Sequence, residues 1–295
     1  MSLQNHPFRG PFFMLIATGA YIVNDTLMKL ATESLPPYQV LMLRGVAGLI
    51  WGLPLLYALG YGGRLRQMFD GRVLARNLSE TLSVLCYVVA LANMPIADVI
   101  ALIQITPLLV LLGASLMLRE RIARVTVVLI AVGFLGALMV AQPTGAGVSV
   151  YAALAIGTAV LGAGRDLLGR QVSPAIPGMI VSISTILVVL AGAGLAHLAF
   201  EDWVPLDFYA TLLLLGAGLF LIFGHFFLFM AYRIGPTSAV APFYYSFTIW
   251  AVLSGLLVFG HMPNALAVAG IALVIASGLA IAFLDERRKR LMPAG

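Results

Sequence analysis

Charge is scarce in this sequence. Asp, Glu, Lys and Arg make up 10% of its 295 residues, against about 25% in soluble globular domains. So little charge cannot cover a water-soluble globule. With 61% hydrophobic residues and a mean hydropathy of +1.03, the natural solvent of the chain is a lipid bilayer. Cysteine is nearly absent: Cys86 stands alone, which excludes an intrachain disulfide and leaves the redox compartment open. No glycine-rich phosphate loop occurs, so ATP driving within the chain is not expected. His6, His197, His225 and His261 are too scattered for a metal cluster, and no cofactor is expected. No Ser/His or Asp pairing stands in the context of an intramembrane protease. The net charge of +5 sits in short gaps between apolar runs, as a topology signal does, and not in a stripe for nucleic acid. The expected partners are therefore the bilayer and a small-molecule substrate.

What the chain does have is long apolar runs. Ten can be drawn, at Phe12–Ala31, Pro37–Leu59, Val73–Asn93, Ala97–Leu118, Val125–Gln142, Val150–Gln171, Pro177–Ala199, Tyr209–Arg233, Thr237–Gly260 and Asn264–Leu284. Their lengths suit helices crossing a hydrocarbon core of about 30 Å. The strands of a membrane β-barrel would be about 10 residues long and would alternate polar with apolar. The first run follows His6 and Arg9 like a signal peptide, but it holds Asn24 and Asp25 and lacks a small-residue cleavage site. It reads as a retained helix.

The stretch from Ala90 to Arg121 organises the rest. A Met94-Pro95 turn feeds an apolar run that carries Gln104, Thr106 and Pro107 and stops at Arg119-Glu120-Arg121. The plan repeats from Ala231 to Met262. A single offset of 141 positions takes Ala90 to Ala231, Pro95 to Pro236 and Val99 to Val240. It also takes Asp25 to Asp166, Lys29 to Arg170 and Pro36 to Pro177. An ungapped offset across both halves marks a duplicated unit, with residues 1–142 as one copy and 143–295 as the other. Each copy holds five segments. Five is odd, so the second copy enters the bilayer from the opposite side. The expected fold is all-α and integral to the membrane: ten transmembrane helices as two inverted five-helix repeats, an architecture of secondary transporters. Arg9, Arg64, Arg66, Arg72, Arg76, Arg119, Arg121, Arg124, Arg165, Arg170, Arg233 and Arg287 through Arg290 fall on one side, and Lys29 and Arg44 toward the other. The basic side is the cytoplasmic one, with both termini, in a bacterial inner membrane.

Ile105-Thr106-Pro107-Leu108 through Leu118-Arg119-Glu120-Arg121 resembles the fourth-helix motif of the drug/metabolite transporter superfamily, EamA type. Ala241-Pro242 through Gly260-His261 resembles the same motif in the second copy, with His261 where a Glu is usual. Asn24-Asp25 with Lys29, and Arg165-Asp166 with Arg170, resemble the first helix of each copy. The resemblance covers nearly the whole chain. It implies a transporter and no enzyme, with a central cavity lined by segments 1, 3, 4, 6, 8 and 9. It also implies amino-acid export of broad specificity, aromatic and neutral substrates included, as the first expectation. Uptake of adenosylmethionine or riboflavin comes second. A membrane-embedded enzyme or receptor is the alternative of another class, which the inverted duplication disfavours.

Polar groups inside a membrane are costly and face the protein interior or a water path. Asn77, Glu80, Val84 and Tyr87 share one face of segment 3, and His225 falls on the matching face of segment 8. The candidate cavity residues are Asn24, Asn77, Tyr87, Gln104, Thr106, His225, Tyr244, Tyr245, Ser246 and Trp250. Aromatic rings with hydroxyls suit an amphipathic organic ligand, although rings in a membrane helix more often serve packing or meet lipid. Tyr244 and Tyr245 point about 100° apart, so they do not share a direction. Asp25 with Lys29, and Asp166 with Arg170, stand four residues apart, either as pairs that neutralise themselves or as gates, Asp25 reaching Arg44. Glu80 and His225 are candidates for proton coupling, against the alternative that Glu80 pairs with Arg76 and His225 packs. Pro107 and Pro242 are candidate hinges, or plain bends. Gly48 and Gly52 have the spacing for close helix packing, which does not decide between monomer and homodimer.

Overall fold

A computed structural model describes residues 9–118, 124–142, 149–169, 171–234 and 240–291. Among them there is no strand. The α-helices are α1 Arg9–Ala31, α2 Pro37–Ala58, α3 Gly71–Asn93, α4 Ile96–Ile103, α5 Thr106–Leu118, α6 Arg124–Ala141, α7 Val150–Gly169, α8 Gly178–Phe200, α9 Phe208–Ile234, α10 Ser246–Phe259 and α11 Ala265–Leu291. Short 3-10 helices at Gly62–Phe69 and Ala241–Tyr245 precede α3 and α10.

Local chemistry places the helix ends. Pro36, Pro95 and Pro177 hold extended backbone just before α2, α4 and α8, where a proline's fixed φ suits entry into a helix. Asp70 accepts hydrogen bonds from the Arg72 and Val73 amides and so caps α3. Gly260, at φ 64°, ends α10 in the left-handed conformation, and the next amide, of His261, closes on the Gly255 carbonyl at 2.8 Å.

Seven helices among the described residues are long and apolar enough to cross a bilayer: α1, α2, α3, α7, α8, α9 and α11. The remaining apolar segments are shorter helices, Ile96–Val110, Arg124–Val140 and Phe243–Phe259. Each of these three borders residues outside the described set, and two of them carry an internal break with a visible cause. Pro107 lacks an N–H, so the Ile103 carbonyl loses its normal partner four residues on. The Thr106 hydroxyl donates to that carbonyl instead, at 2.6 Å, and the segment divides into α4 and α5. Later in the chain Pro242 lies in the 3-10 turn that leads into α10, where the Ser246 hydroxyl donates to the Phe243 carbonyl at 2.6 Å.

The helices pack in a reciprocal pattern. Helix α1 lies on α9, and α3 lies on α7. Helix α2 meets α9, and α8 meets α3. Helix α1 meets α10, and α7 meets α5. Pairs α2–α8 and α6–α11 complete the bundle. Small residues set the closest approaches. A Cβ at Gly218 would stand 2.6 Å from the backbone of Ala47 and Gly48, so α9 and α2 touch main chain to main chain. A Cβ at Gly52 would press on Ile183 and Ile222 at 2.7 and 2.8 Å. The Gly48–Gly52 face is thus used within the chain, against α8 and α9.

Two polar clamps hold opposite ends of the bundle. At the end where α1 finishes, Glu201 accepts from the Tyr38 and Gln39 amides at 2.8 and 3.0 Å and caps the start of α2, while His197 lies 3.0 Å from the same carboxylate. The Gln39 side chain answers with reciprocal bonds to the Val204 backbone. At the end where α3 begins, Asn77 donates to Ser184, Ser184 donates to the Met68 carbonyl, and Arg76 donates to Thr185, which tie α3 to α8.

Candidate functional site

The interior between α1, α2, α3, α7 and α9 is polar, although it lies in an apolar bundle. It contains two groups of side chains. The first sits in the later half of α1. Asn24 and Asp25 are 2% and 5% exposed, and Arg44 of α2 is 8% exposed. The Asn24 amide nitrogen donates to the Asp25 carboxylate at 2.8 Å. Arg44 and Tyr87 lie beside the same carboxylate. The Tyr87 hydroxyl approaches it without an aligned hydrogen bond, and among the described residues Arg44 makes neither a hydrogen bond nor an ion pair within 4 Å. Asn24 Oδ1, Arg44 Nε and the Tyr87 hydroxyl are buried with no partner among the described residues.

The second group is built where α7 faces α3. Arg165 Nη1 donates to Glu80 at 2.8 Å, and its Nε donates to Asp166 at 2.8 Å. Glu80, Arg165 and Asp166 side chains are 16%, 25% and 43% exposed, so this group is more accessible than the first. His225 stands beside it, edge-on to the Tyr21 ring at 5.5 Å, and its Nδ1–H donates to the Leu221 carbonyl at 2.8 Å. Tyr21 also meets Phe247, which lies 6.1 Å from Tyr244. Rings and charges therefore share one interior.

Two dyads have the same geometry. In Asn24-Asp25 and in Arg165-Asp166 the first side chain donates to Oδ1 of the aspartate at 2.8 Å. The first dyad is sealed and the second is accessible.

Asn24, Tyr87 and His225 stand in this interior with Asp25, Arg44, Glu80 and Asp166. Asn77 is spent on the α3–α8 contact. Gln104 is fully buried with its Nε2 unpartnered among the described residues, and Thr106 serves its own helix and approaches Ala159. Tyr244 and Tyr245 do diverge. Tyr244 faces Phe247 and α1, while Tyr245 lies against α11, where a Cβ on Gly278 would overlap its ring. Ser246 bonds Thr18 at 2.8 Å and fastens α10 to α1. Trp250 lines an apolar groove of about 410 Å³ on the outside of α1 and α9, with Phe12, Phe220, Phe223 and Phe227. Another cavity, of about 230 Å³ and lined by Asp98, His261 and Asn264, lies between α4, α10 and α11. Neither reaches the polar interior.

Two expected pairs are corrected. Lys29 does not neutralise Asp25. Its ammonium donates to the Leu91 and Met94 carbonyls, each at 2.7 Å, because α3 ends there with unsatisfied carbonyls and an ammonium meets them well. Glu80 does not pair with Arg76. Arg165 reaches it across the α3–α7 contact, and Arg76 is turned toward Asn77 and Thr185. Arg170, the expected partner of Asp166, lies outside the described residues. Arg165 and Tyr21 were not singled out as site residues from sequence. A signal existed for each. Arg165 is a cation inside an apolar run, and Tyr21 stands one helical turn before Asp25.

Comparison with known proteins now decides the family. Residues 8–142 match the EamA-like transporter family. A riboflavin transporter of Rhizobium johnstonii is 30% identical over 98% of this chain and 97% of its own length. The chain belongs to the EamA-like transporter family. A riboflavin transporter of Vibrio cholerae is 28% identical over 97% of this chain and 96% of its own. The pseudopaline exporter CntI of Pseudomonas aeruginosa is 28% identical over 92% of this chain and 95% of its own. A solved crystal structure at 18% identity shares the fold, with a TM-score of 0.66 over 94% of this chain and 99% of that one. This EamA protein is a multi-pass membrane transporter of small metabolites.

Proposed function

We propose that this EamA protein is a secondary transporter of the bacterial inner membrane that carries a planar aromatic, hydrogen-bonding metabolite of the riboflavin kind through its central interior. The observation that carries the reading is the polar interior itself. Charged and amide side chains are expensive inside a bilayer and are retained where a polar solute or water meets them. The rings of Tyr21, Tyr87, Tyr244 and Phe247 offer faces to an aromatic solute, and the amide and hydroxyl groups offer hydrogen bonds. Riboflavin transporters among the full-length relatives favour this solute over the amino acids first expected.

In this reading the chain crosses the bilayer ten times as two inverted five-helix repeats, residues 1–142 and 143–295, with both termini cytoplasmic. The reciprocal packing supports it, since exchanging the halves turns α1–α9 into α7–α3 and leaves α2–α8 and α6–α11 as they are. The paired dyads support it as well. Asn24-Asp25 with Arg44 closes the outer end in the present state, and Arg165-Asp166 with Glu80 guards the inner end. Alternating access is the exchange of which dyad is sealed, with bending at Pro107 and Pro242.

One observation favours a second reading, amino-acid export. Asp25 and Arg44 lie near one another without pairing, and opposite charges so placed suit the ammonium and carboxylate of a zwitterion. Purified protein in liposomes, offered labelled riboflavin and labelled neutral and aromatic amino acids with and without a pH gradient, separates the readings. Saturable riboflavin flux alone is expected. Saturable amino-acid flux without riboflavin flux would replace the first reading by the second.

A further inference from the structure

The first polar group is incomplete by itself. Arg44 carries five donors and makes no hydrogen bond among the described residues, and its Nε is sealed from solvent. A buried donor or acceptor without a partner is costly, and most costly in a membrane interior. Asn24 is not free to turn and relieve its own deficit. Its amide nitrogen is fixed on Asp25 at 2.8 Å, and a carboxylate accepts but does not donate, so Oδ1 must point away. It is an acceptor held in one direction. The Tyr87 hydroxyl is the third group, next to the same carboxylate but without an aligned hydrogen bond among the described residues.

The set is a guanidinium donor, a fixed amide acceptor and a hydroxyl donor, gathered around Asp25. Asp25 and Arg44 together contribute no net charge. A free anion would be repelled by Asp25 and a free cation by Arg44. A neutral edge that reads acceptor, donor, acceptor answers all three groups at once. We propose that Asn24, Arg44 and Tyr87 form a recognition subsite for the imide edge of a planar heteroaromatic ring, carbonyl, N–H, carbonyl, as in a flavin or a pyrimidine. Asn24 Oδ1 takes the imide N–H. Arg44 and the Tyr87 hydroxyl donate to the flanking carbonyls. Asp25 acts as a positioning residue that fixes the Asn24 amide. All three atoms are sealed in the present state, so the edge docks when α1 and α2 part from α3. This inference rests on the flavin-like reading above and names the atoms that would deliver it.

The test is a ligand–residue cycle on the full-length protein in detergent, read by quenching of flavin fluorescence. The ligands are riboflavin and its N3-methyl derivative, in which the imide N–H is gone and the ring is otherwise intact. Wild-type protein should bind the methylated ligand at least about tenfold more weakly, because a site built around a substrate N–H rejects the analogue that lacks it. In Asn24→Ala the preference should fall to near parity, while riboflavin itself binds more weakly. Should that variant fail to fold, Asn24→Ser carries the same expectation, and the wild-type comparison stands by itself. Equal binding of both ligands by wild type, or a preference that survives removal of the Asn24 amide, overturns the subsite while leaving flavin transport intact. No riboflavin binding by folded protein that moves amino acids overturns the subsite and the flavin reading together.

Discussion

Lys29 shows how a single residue departs from its local pattern. Spaced four residues from Asp25 on one helix, it invites an i,i+4 pair, but the end of α3 offers it two carbonyls at 2.7 Å and the Phe259 ring at 5.6 Å. Two charge-assisted bonds outweigh one pair on a helix surface, which is worth only about 0.2–0.5 kcal/mol. Lys29→Met should therefore destabilise the protein by about 2 kcal/mol or more. The check is thermal unfolding in detergent, and an unchanged midpoint would remove the strap from the account. Glu80 and Arg165 are partly exposed, so their 2.8 Å pair contributes less than a dry one. Glu80→Gln and Arg165→Gln should each slow transport, and the double variant should be no worse than the poorer single one. Independent, multiplying losses would mean that the two do not act as a unit. The sequence marked Glu80 through its place on a polar face. It did not give its partner, because Arg165 is 85 positions away and only the α3–α7 packing brings them together.

At the scale of elements, the apolar runs were legible because a bilayer imposes length and composition together. Seven of them are full-length helices in the structure. The broken segments were legible only as prolines. What sequence could not show is how the break is repaired, with a Thr106 hydroxyl taking over at the Ile103 carbonyl. Pro107→Ala restores a backbone donor there and should join α4 to α5. The expected outcome is an equal or higher unfolding midpoint with a lower transport rate, measured on the same preparation. A faster transporter would count against bending at this point. The glycines of α2 and α9 carry the opposite lesson. Gly218→Val has no space to enter, because the backbone of Ala47 and Gly48 already fills it. Overpacking of this kind costs about 1–3 kcal/mol, and main-chain contact leaves little room to yield. Loss of the folded monodisperse peak in size-exclusion chromatography is the expected readout.

For the molecule as a whole, the proposed duplicated plan rests on one offset in the sequence, and the reciprocal helix contacts support it. Its two dyads were readable only in outline. Asp25 and Asp166 align in sequence, but that one is sealed and the other accessible belongs to the state of the whole bundle and to no single residue. The substrate was the least legible feature, since rings and amides fit several metabolites and the choice lies in where their unsatisfied atoms point. The central claim is that this interior is a path opened to one side at a time. Val84 lies on the same face of α3 as Glu80 and Tyr87, and Cys86 is the only native cysteine. The direct measurement is labelling of Val84→Cys, in a Cys86→Ala background, by a membrane-impermeant thiol reagent applied from either side of sealed vesicles. Labelling from the side where α3 begins should dominate, and Asp25→Asn should raise labelling from the opposite side. A cysteine that reacts from neither side, or whose reactivity Asp25→Asn leaves unchanged, would contradict an alternating path through this interior.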